Sequence, residues 1–173
     1  MLPDFNAVVW KDYMKKDVKD VVMMVDQMFC WGQEISLGAL DALVKGLCAS
    51  SICIKTISGL LEKVPNFTHQ LDQETLNELV QKYSKKGSVH RARAILHGML
   101  SRHLRLDRET HTALMMGLCK KGDLSGLTSY WKFARTNNWL PDLKDGKTLF
   151  SRLCRRRWLN EALELFNALL ALY

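Results

Sequence analysis

The chain has 173 residues, of which 47% are hydrophobic and 25% are charged, a composition typical of a folded domain and not of a disordered segment. Glycine (10) and proline (3) are too scarce for collagen or a turn-rich β-sandwich, and no apolar run approaches the roughly 18 residues of a membrane helix. The net charge of +7 is uneven, because residues 1–72 hold 7 basic and 9 acidic side chains while residues 73–173 hold 18 and 9. This asymmetry fits either a polyanion partner or solvated helix faces.

A short motif recurs along the chain, and a fixed period of this length is the signature of a repeat protein. Residues 83–87 (YSKKG) return 35 positions later as residues 118–122 (LCKKG) and 35 positions after that as residues 153–157 (LCRRR). Residues 47–51 (LCASS) precede the first copy by 36 positions. The spacing predicts five units, the last of them cut short, with the boundaries 2–36, 37–72, 73–107, 108–142 and 143–173.

Each unit carries two helical patterns. In the first half, the seventh and eighth residues are apolar, and in units two to five a large apolar side chain follows four positions after the seventh, on the same helix face. In the second half, apolar residues follow the spacing i, i+3, i+4, i+7. The apolar pairs of the first halves are Val8/Val9, Leu43/Val44, Leu79/Val80, Leu114/Met115 and Leu149/Phe150.

The second unit keeps this pattern if its extra residue lies in the turn at residues 50–53, because Ile57, Leu60, Leu61 and Val64 then fill the four places of the second helix. An insertion in a turn is tolerated, whereas one inside a helix would rotate its apolar face by about 100°. Hairpins of this kind bury their apolar faces by stacking. We therefore predict an all-α fold, a right-handed α-solenoid of about five stacked helix-turn-helix repeats that forms a single domain over residues 1–173.

The residues that could support chemistry do not form a catalytic or metal-binding pattern. The five cysteines include no C-x-x-C pair, and no nucleophile–histidine set, paired carboxylates or glycine-rich phosphate loop recurs at catalytic spacing. Cys48, Cys119 and Cys154 share the twelfth place of their units, where packing in the core is the favoured interpretation. We predict a protein that is not an enzyme and needs no cofactor, metal, membrane or small-molecule substrate.

The repeat motif resembles the pentatricopeptide repeat. The 35-residue period, residues 118–124 (LCKKGDL), residues 161–166 (EALELF) and residues 140–142 (LPD) match that family's pattern, and the uniform period suggests its P-class. The tetratricopeptide repeat, with 34 residues and a protein-binding role, lacks these marks. The resemblance implies single-stranded RNA binding in a mitochondrion or chloroplast, with the mitochondrion favoured, and one repeat for each base.

In that family, the fifth and the last residue of a unit select the base. Asn77 with Asp107 resembles the pair for uracil, and Thr112 with Asp142 resembles the pair for guanine. The pair of unit one is weaker and pyrimidine-like, and the residues of units two and five fit no common pair. The base-recognition residues implied by the resemblance are Asn6 and Ser36, Asp41 and Asp72, Asn77 and Asp107, Thr112 and Asp142, and Lys147 alone in unit five.

The resemblance also implies contacts to RNA phosphates from basic residues at the thirteenth place, which are Lys85, Lys120 and Arg155. Contacts of this kind give affinity and salt dependence but no sequence choice. The second place, often apolar in the family, holds Glu74 and Glu109, which would repel phosphates. The run at residues 155–157 fits either an RNA clamp or a charged turn.

We expect the chain to be a segment of a longer plant organellar array. Solenoids have polar ends, whereas the last predicted helix leaves an apolar face without a following hairpin. The absence of a transit peptide fits this expectation. Two functions stay open at this point. One is sequence-selective RNA binding for organellar RNA processing, stability, splicing or translation. The alternative is a protein–protein scaffold in an organellar ribonucleoprotein such as the mitochondrial ribosome.

Overall fold

The structure is a computed structural model that describes residues 18–32, 35–49, 54–64 and 66–171. Within these ranges the chain is helical and has no strand, and none of the helices is long and apolar enough to cross a bilayer. The helices are α1 (Val18–Cys30), α2 (Leu37–Ala49), α3 (Ile54–Glu62), α4 (Phe67–Gln70), α5 (Gln73–Lys85), α6 (Val89–Ser101), α7 (Arg108–Lys121), α8 (Leu124–Thr136), α9 (Leu143–Arg155) and α10 (Leu159–Leu170).

The helices start at regular intervals. The first helices α2, α5, α7 and α9 begin at residues 37, 73, 108 and 143, and α6, α8 and α10 each begin 16 residues after the first helix of their hairpin. Helix α3 begins 17 residues after the start of α2, as an extra residue in the intervening turn requires. The turn itself, residues 50–53, lies outside the described residues. The predicted helix-turn-helix pattern is therefore confirmed for the described part of the chain.

The chain divides into two compact parts, one that ends at Glu78 within α5 and one that starts at Leu79. In the first part, α2 contacts α4. In the second part, α7 packs on α8 and α9 packs on α10 as hairpins. Helix α7 also contacts α6 and α9, so that α7 and α9, successive first helices, are neighbours.

The core includes most of the apolar places predicted from the spacing. The seventh and eighth residues of units two, three and four are buried, and in unit five Leu149 is buried while Phe150 is half-buried. The four predicted apolar places of α6 and α8, including Trp131, are also buried, as are those of unit two, of which Val64 lies just after the end of α3. Helix α10 departs from this pattern, because Phe166 is 46% exposed. Its exposed large apolar side chains are Leu159, Leu163, Phe166 and Leu170.

First helices in the second part end with a left-handed residue. Gly87 and Gly122 have φ values of 81° and 84°, and Arg157 takes the same place with a φ of 60°. In each case the following backbone N–H donates to the carbonyl five positions earlier, at 2.9–3.1 Å, which closes the helix end. A side chain with a Cβ is disfavoured in this conformation, whereas glycine adopts it freely. Arg157 is therefore a strained equivalent of the two glycines.

We predict that Arg157→Gly raises the free energy of unfolding by about 1 kcal/mol, because it removes the cost of a left-handed non-glycine residue. The reciprocal control is Gly87→Ala. A Cβ at Gly87 would meet nothing within 4 Å, so alanine would clash with no neighbour there. It would still have to adopt the φ of 81°, and we expect the free energy of unfolding to fall by about 1 kcal/mol. Urea denaturation measures both changes. A destabilised Arg157→Gly variant would contradict the prediction.

Candidate functional site

The last residue of each described unit caps the first helix of the next one. Its side-chain oxygen accepts a hydrogen bond from the backbone N–H three residues later, the usual N-cap arrangement. The first turn of a helix has unpaired N–H groups, so this bond starts the helix at that residue. The caps are Ser36 Oγ to Ala39 N at 3.3 Å, Asp72 Oδ1 to Thr75 N at 2.7 Å, Asp107 Oδ1 to Thr110 N at 2.7 Å and Asp142 Oδ1 to Asp145 N at 2.8 Å.

In unit two, the fifth and the last residue contact each other. Asp41 Oδ1 accepts a hydrogen bond from the backbone N–H of Asp72 at 3.1 Å. Lys45, one turn after Asp41, places its Nζ 3.0 Å from Asp72 Oδ2 and 3.5 Å from Asp41 Oδ2. The same ammonium lies 2.8 Å from Glu74, a second-place residue predicted to repel phosphates. Both predicted base-recognition side chains of this unit are therefore held in one ion-pair cluster.

The ion pairs of this cluster shift the pKa values of its charged side chains. Burial alone would raise the pKa of Asp72, but the Thr75 backbone N–H and Lys45 stabilise the carboxylate and lower the pKa to about 2. Hydrogen bonds to Glu74 and Asp72 raise the pKa of Lys45 above its ordinary value. Partial burial and the nearby carboxylate of Glu74 raise the pKa of Glu78. The ammonium and the Asp72 carboxylate therefore both stay charged at neutral pH.

In unit three, the last residue is contacted by a glutamine. The Gln81 amide Nε2 donates to Thr110 Oγ1 at 3.0 Å and lies 3.3 and 3.4 Å from the two carboxylate oxygens of Asp107. Asn77 lies one turn before Gln81 on α5, is 3% exposed, and donates from its amide nitrogen to the Gln73 carbonyl at 2.9 Å. Asn77 belongs to the first compact part and Asp107 to the second. Their joint role in base recognition stays a prediction.

In unit four, the fifth residue reaches the start of the next first helix. The Thr112 hydroxyl lies 3.0 Å from Asp145 Oδ2 on α9 and 3.2 Å from the Arg108 carbonyl. Asp145 is itself held by the Asp142 cap through its backbone N–H. Met116, one turn after Thr112, has no polar group to offer a carboxylate. Thr112 and Asp142 are thus brought to one place through Asp145, and both are half-buried.

The predicted phosphate-contacting residues lie at the ends of the first helices in the second part. Lys85, Lys120 and Arg155 are exposed, as is Lys147 on α9. Asn6 lies outside the described residues. Arg156 has a structural use, because its Nη2 donates to the Lys120 carbonyl at 2.6 Å. For this member of the run at residues 155–157, the charged-turn interpretation fits the contacts.

Sequence reasoning missed the partners of the predicted residues. Lys45 and Gln81 are ninth-place residues, four positions after the fifth place, and the i, i+4 spacing on one helix face could have indicated them. Asp145 could not be found in this way, because it lies on a different helix from Thr112 and 33 residues away from it in sequence.

Next to Thr112, a buried polar cluster joins α7 to α8. His111 Nδ1 lies 2.7 Å from the Tyr130 hydroxyl, and the His111 ring stacks on Trp139 with centroids 4.7 Å apart. Burial lowers the pKa of His111 to about 4, although the nearby negative charge of Asp107 acts in the other direction and raises it. Burial also raises the pKa of Tyr130. The neutral imidazole borders an open cleft of about 600 Å³.

Among the described residues, no group of three or more histidine, cysteine or acidic side chains is placed to hold a metal ion. Cys119 is buried in the core, as predicted for the twelfth place, and burial raises the pKa of its thiol to about 11. Cys48 and Cys154 are half-buried at the same place.

Comparison with known proteins identifies the repeat. The family model for the PPR repeat matches residues 109–133 and 147–171. A mitochondrial pentatricopeptide repeat-containing protein of Arabidopsis thaliana is 37% identical over all 173 residues, which span 14% of that protein's length. This chain belongs to the pentatricopeptide repeat family. The division into five repeats at the boundaries given above stays a prediction.

Solved structures of pentatricopeptide repeat proteins show the same fold. The protein PPR10 in complex with an 18-nucleotide psaJ RNA element matches with a TM-score of 0.73 and 14% identity, over 97% of this chain and 24% of that chain. PPR10 from maize matches with a TM-score of 0.61 and 18% identity, over 92% and 23%. These likenesses concern the fold, and they confirm the predicted α-solenoid class.

We predict that the stability of this pentatricopeptide repeat chain falls as the pH drops from 6.5 towards 4, because His111 is protonated in the unfolded chain but neutral in the folded one across that window. At pH 5 the effect is about 2 kcal/mol. Urea denaturation at pH 7.5 and pH 5 measures it in the wild type and in His111→Gln, which should lose less stability. The matched control His90→Gln removes an exposed histidine and should behave like the wild type. Equal pH dependence in His111→Gln and the wild type would contradict the prediction.

Proposed function

We propose that this segment binds single-stranded RNA with sequence selectivity, each repeat contacting one base. The observation that carries the proposal is the recurrence of a polar capping residue at the start of α5, α7 and α9, with a polar fifth-place residue on the same repeat. Asn, Thr and Asp side chains carry the donors and acceptors that can meet the Watson–Crick edge of an unpaired base. The RNA-bound state of PPR10, which has the same fold, supports this use of the repeat.

Unit four offers the clearest base-recognition site. Thr112 and Asp142 come together through Asp145, and both are partly accessible. The resemblance assigns guanine to this pair and uracil to Asn77 with Asp107. Asn77 is buried against the Gln73 carbonyl, so its use in unit three requires a change of rotamer. We therefore expect unit four to contribute more to selectivity than unit three.

Affinity would come from the second compact part. Lys85, Lys120 and Arg155 are exposed at the ends of α5, α7 and α9, and residues 73–173 hold 18 basic against 9 acidic side chains. Phosphate contacts from such residues release counterions and strengthen binding to any RNA sequence. The base-recognition residues then add the choice among sequences.

We propose a mitochondrial role in RNA processing, stability, splicing or translation, exerted by occupying the RNA. The 37% identical protein of Arabidopsis thaliana is named as mitochondrial, which is consistent with a role in an organelle. A bound solenoid shields RNA from nucleases or keeps it unpaired, and neither effect needs a catalytic residue.

A second candidate is a scaffold within an organellar ribonucleoprotein. The observation that favours it is unit two, where Asp41 and Asp72 are both engaged by Lys45. Exposed acidic residues at the second place, Glu74 and Glu109, also disfavour RNA along part of the surface. A scaffold would bind RNA without sequence preference or not at all, which the following experiment detects.

We predict that Thr112→Asn changes the base preferred at unit four from guanine to uracil, because it converts a Thr/Asp pair into the Asn/Asp pair that resembles the uracil reader. Fluorescence anisotropy measures binding to two short RNAs that differ in the one base facing unit four. The expected change in relative affinity is about 1–3 kcal/mol.

The matched control is Thr148→Asn, the same substitution at an exposed position of α9 outside the fifth place. It should leave the preference for guanine unchanged. A wild type that binds both RNAs equally would overturn the proposed selectivity and favour the scaffold.

Lys120→Ala should weaken binding to matched and mismatched RNAs alike, because it removes a phosphate contact. Anisotropy titrations at several salt concentrations should show the slope of log K against log salt falling in magnitude by about 0.7, the value for one phosphate of a single strand. The control Lys132→Ala removes an exposed lysine of α8 and should leave the slope unchanged. A loss of base preference in Lys120→Ala at unchanged slope would assign this lysine to the bases instead.

A further inference from the structure

In units two and three, the ninth residue of the first helix contacts the carboxylate that ends its unit. In unit two, Lys45 Nζ lies 3.0 Å from Asp72 Oδ2, within charge-assisted hydrogen-bond distance. In unit three, the Gln81 amide makes longer contacts of 3.3 and 3.4 Å to Asp107. The equivalent residue of unit four is Met116, which has no donor.

The carboxylate itself has two distinct uses. In all three units, Oδ1 accepts the N-cap hydrogen bond, so this oxygen is committed to the helix start. Oδ2 is bound by Lys45 in unit two and lies within reach of Gln81 in unit three. Among the described residues, none donates a hydrogen bond to Oδ2 of Asp142 in unit four. The side chain at the ninth place therefore sets how much of the carboxylate is still available to a ligand.

We propose that the ninth residue of each first helix is a positioning residue for base recognition: it controls whether the last-place carboxylate of its repeat can accept a hydrogen bond from an RNA base. Lysine closes the site in unit two, glutamine restricts it in unit three, and methionine leaves it open in unit four. The inference rests on the proposed function, because it concerns the same base-recognition site. It assigns Lys45, Gln81 and Met116 a role in specificity that the fifth-place and last-place residues alone do not describe.

The physical size of the effect is modest and measurable. Lys45 and Asp72 are partly exposed, with 33% and 50% of their side-chain surfaces accessible, so their ion pair is screened by water. An exposed pair of this kind changes an equilibrium constant by up to about fivefold. A base that needs the carboxylate must displace the ammonium and loses up to that factor, whereas a base at unit four does not.

The test is Met116→Lys, which places in unit four the residue that closes unit two. Affinity is measured for two RNAs that carry guanine or another base at the position facing unit four, and the ratio of the two affinities is compared with that of the wild type. Using the ratio cancels the general gain in affinity from an added positive charge. We expect the preference for guanine to fall by up to about fivefold, while the control Met116→Leu keeps the wild-type ratio.

A second readout does not depend on RNA. Carbon-detected NMR of the Asp142 carboxylate should show its pKa lowered in Met116→Lys, because the new ammonium stabilises the charged form, and unchanged in Met116→Leu. If the carboxylate does not respond to the lysine, the proposed contact does not form, and the inference is wrong. If Met116→Lys fails to fold, Lys45→Met tests the same idea, since it should create a base preference at unit two where the wild type has none.

The outcomes separate this inference from the proposed function. A wild type that shows no preference at unit four overturns the proposed sequence selectivity. A wild type that prefers guanine, together with a Met116→Lys variant that prefers it equally, leaves the proposed function standing and overturns the role of the ninth residue. A reduced ratio in Met116→Lys together with a lowered pKa of Asp142 supports both.

Discussion

The hydrogen bond between the last side chain of one repeat and the third backbone N–H of the next helix is the contact on which the rest of this structure depends. It recurs at residues 36, 72, 107 and 142, and each time it determines where a first helix begins. Once the start is fixed, the fifth and ninth residues follow at one-turn intervals, and in units two and three the ninth residue contacts the aspartate that caps the next first helix. The same bond thus organises the fold and collects the polar residues of the candidate site.

This double use makes the last-place aspartate sensitive to its neighbours. One carboxylate oxygen accepts the N-cap hydrogen bond, and the other can be bound either by a side chain of the protein or by a ligand. Lys45 takes it in unit two through a partly exposed ion pair, whereas Met116 does not compete in unit four. Repeats of the same architecture can therefore differ in function through a single side chain. Repeats also differ in charge, because the first helices that end in basic residues end in the second compact part.

The sequence predicted the helical repeats well because burial of apolar side chains imposes a strict spacing. The seventh and eighth residues, the extra residue of unit two and the left-handed ends at Gly87 and Gly122 all follow from local rules. The contacts of the site were harder to predict. Three examples are the hydrogen bond of buried Asn77 to the preceding helical turn, the Thr112–Asp145 contact and the His111–Tyr130 contact. In each, the partner depends on side-chain geometry and not on the local sequence pattern. The left-handed conformation of Arg157 was equally unpredictable, because arginine has no preference for that conformation.

The most direct test of base recognition by these repeats is a selection of RNAs bound by the intact chain from a library of random single strands. We expect enrichment of uracil next to guanine at the positions facing units three and four, with the stronger preference at the guanine, and no preference at the position facing unit two. A pool without a common motif, or one whose strongest preference faces unit two, would contradict this expectation.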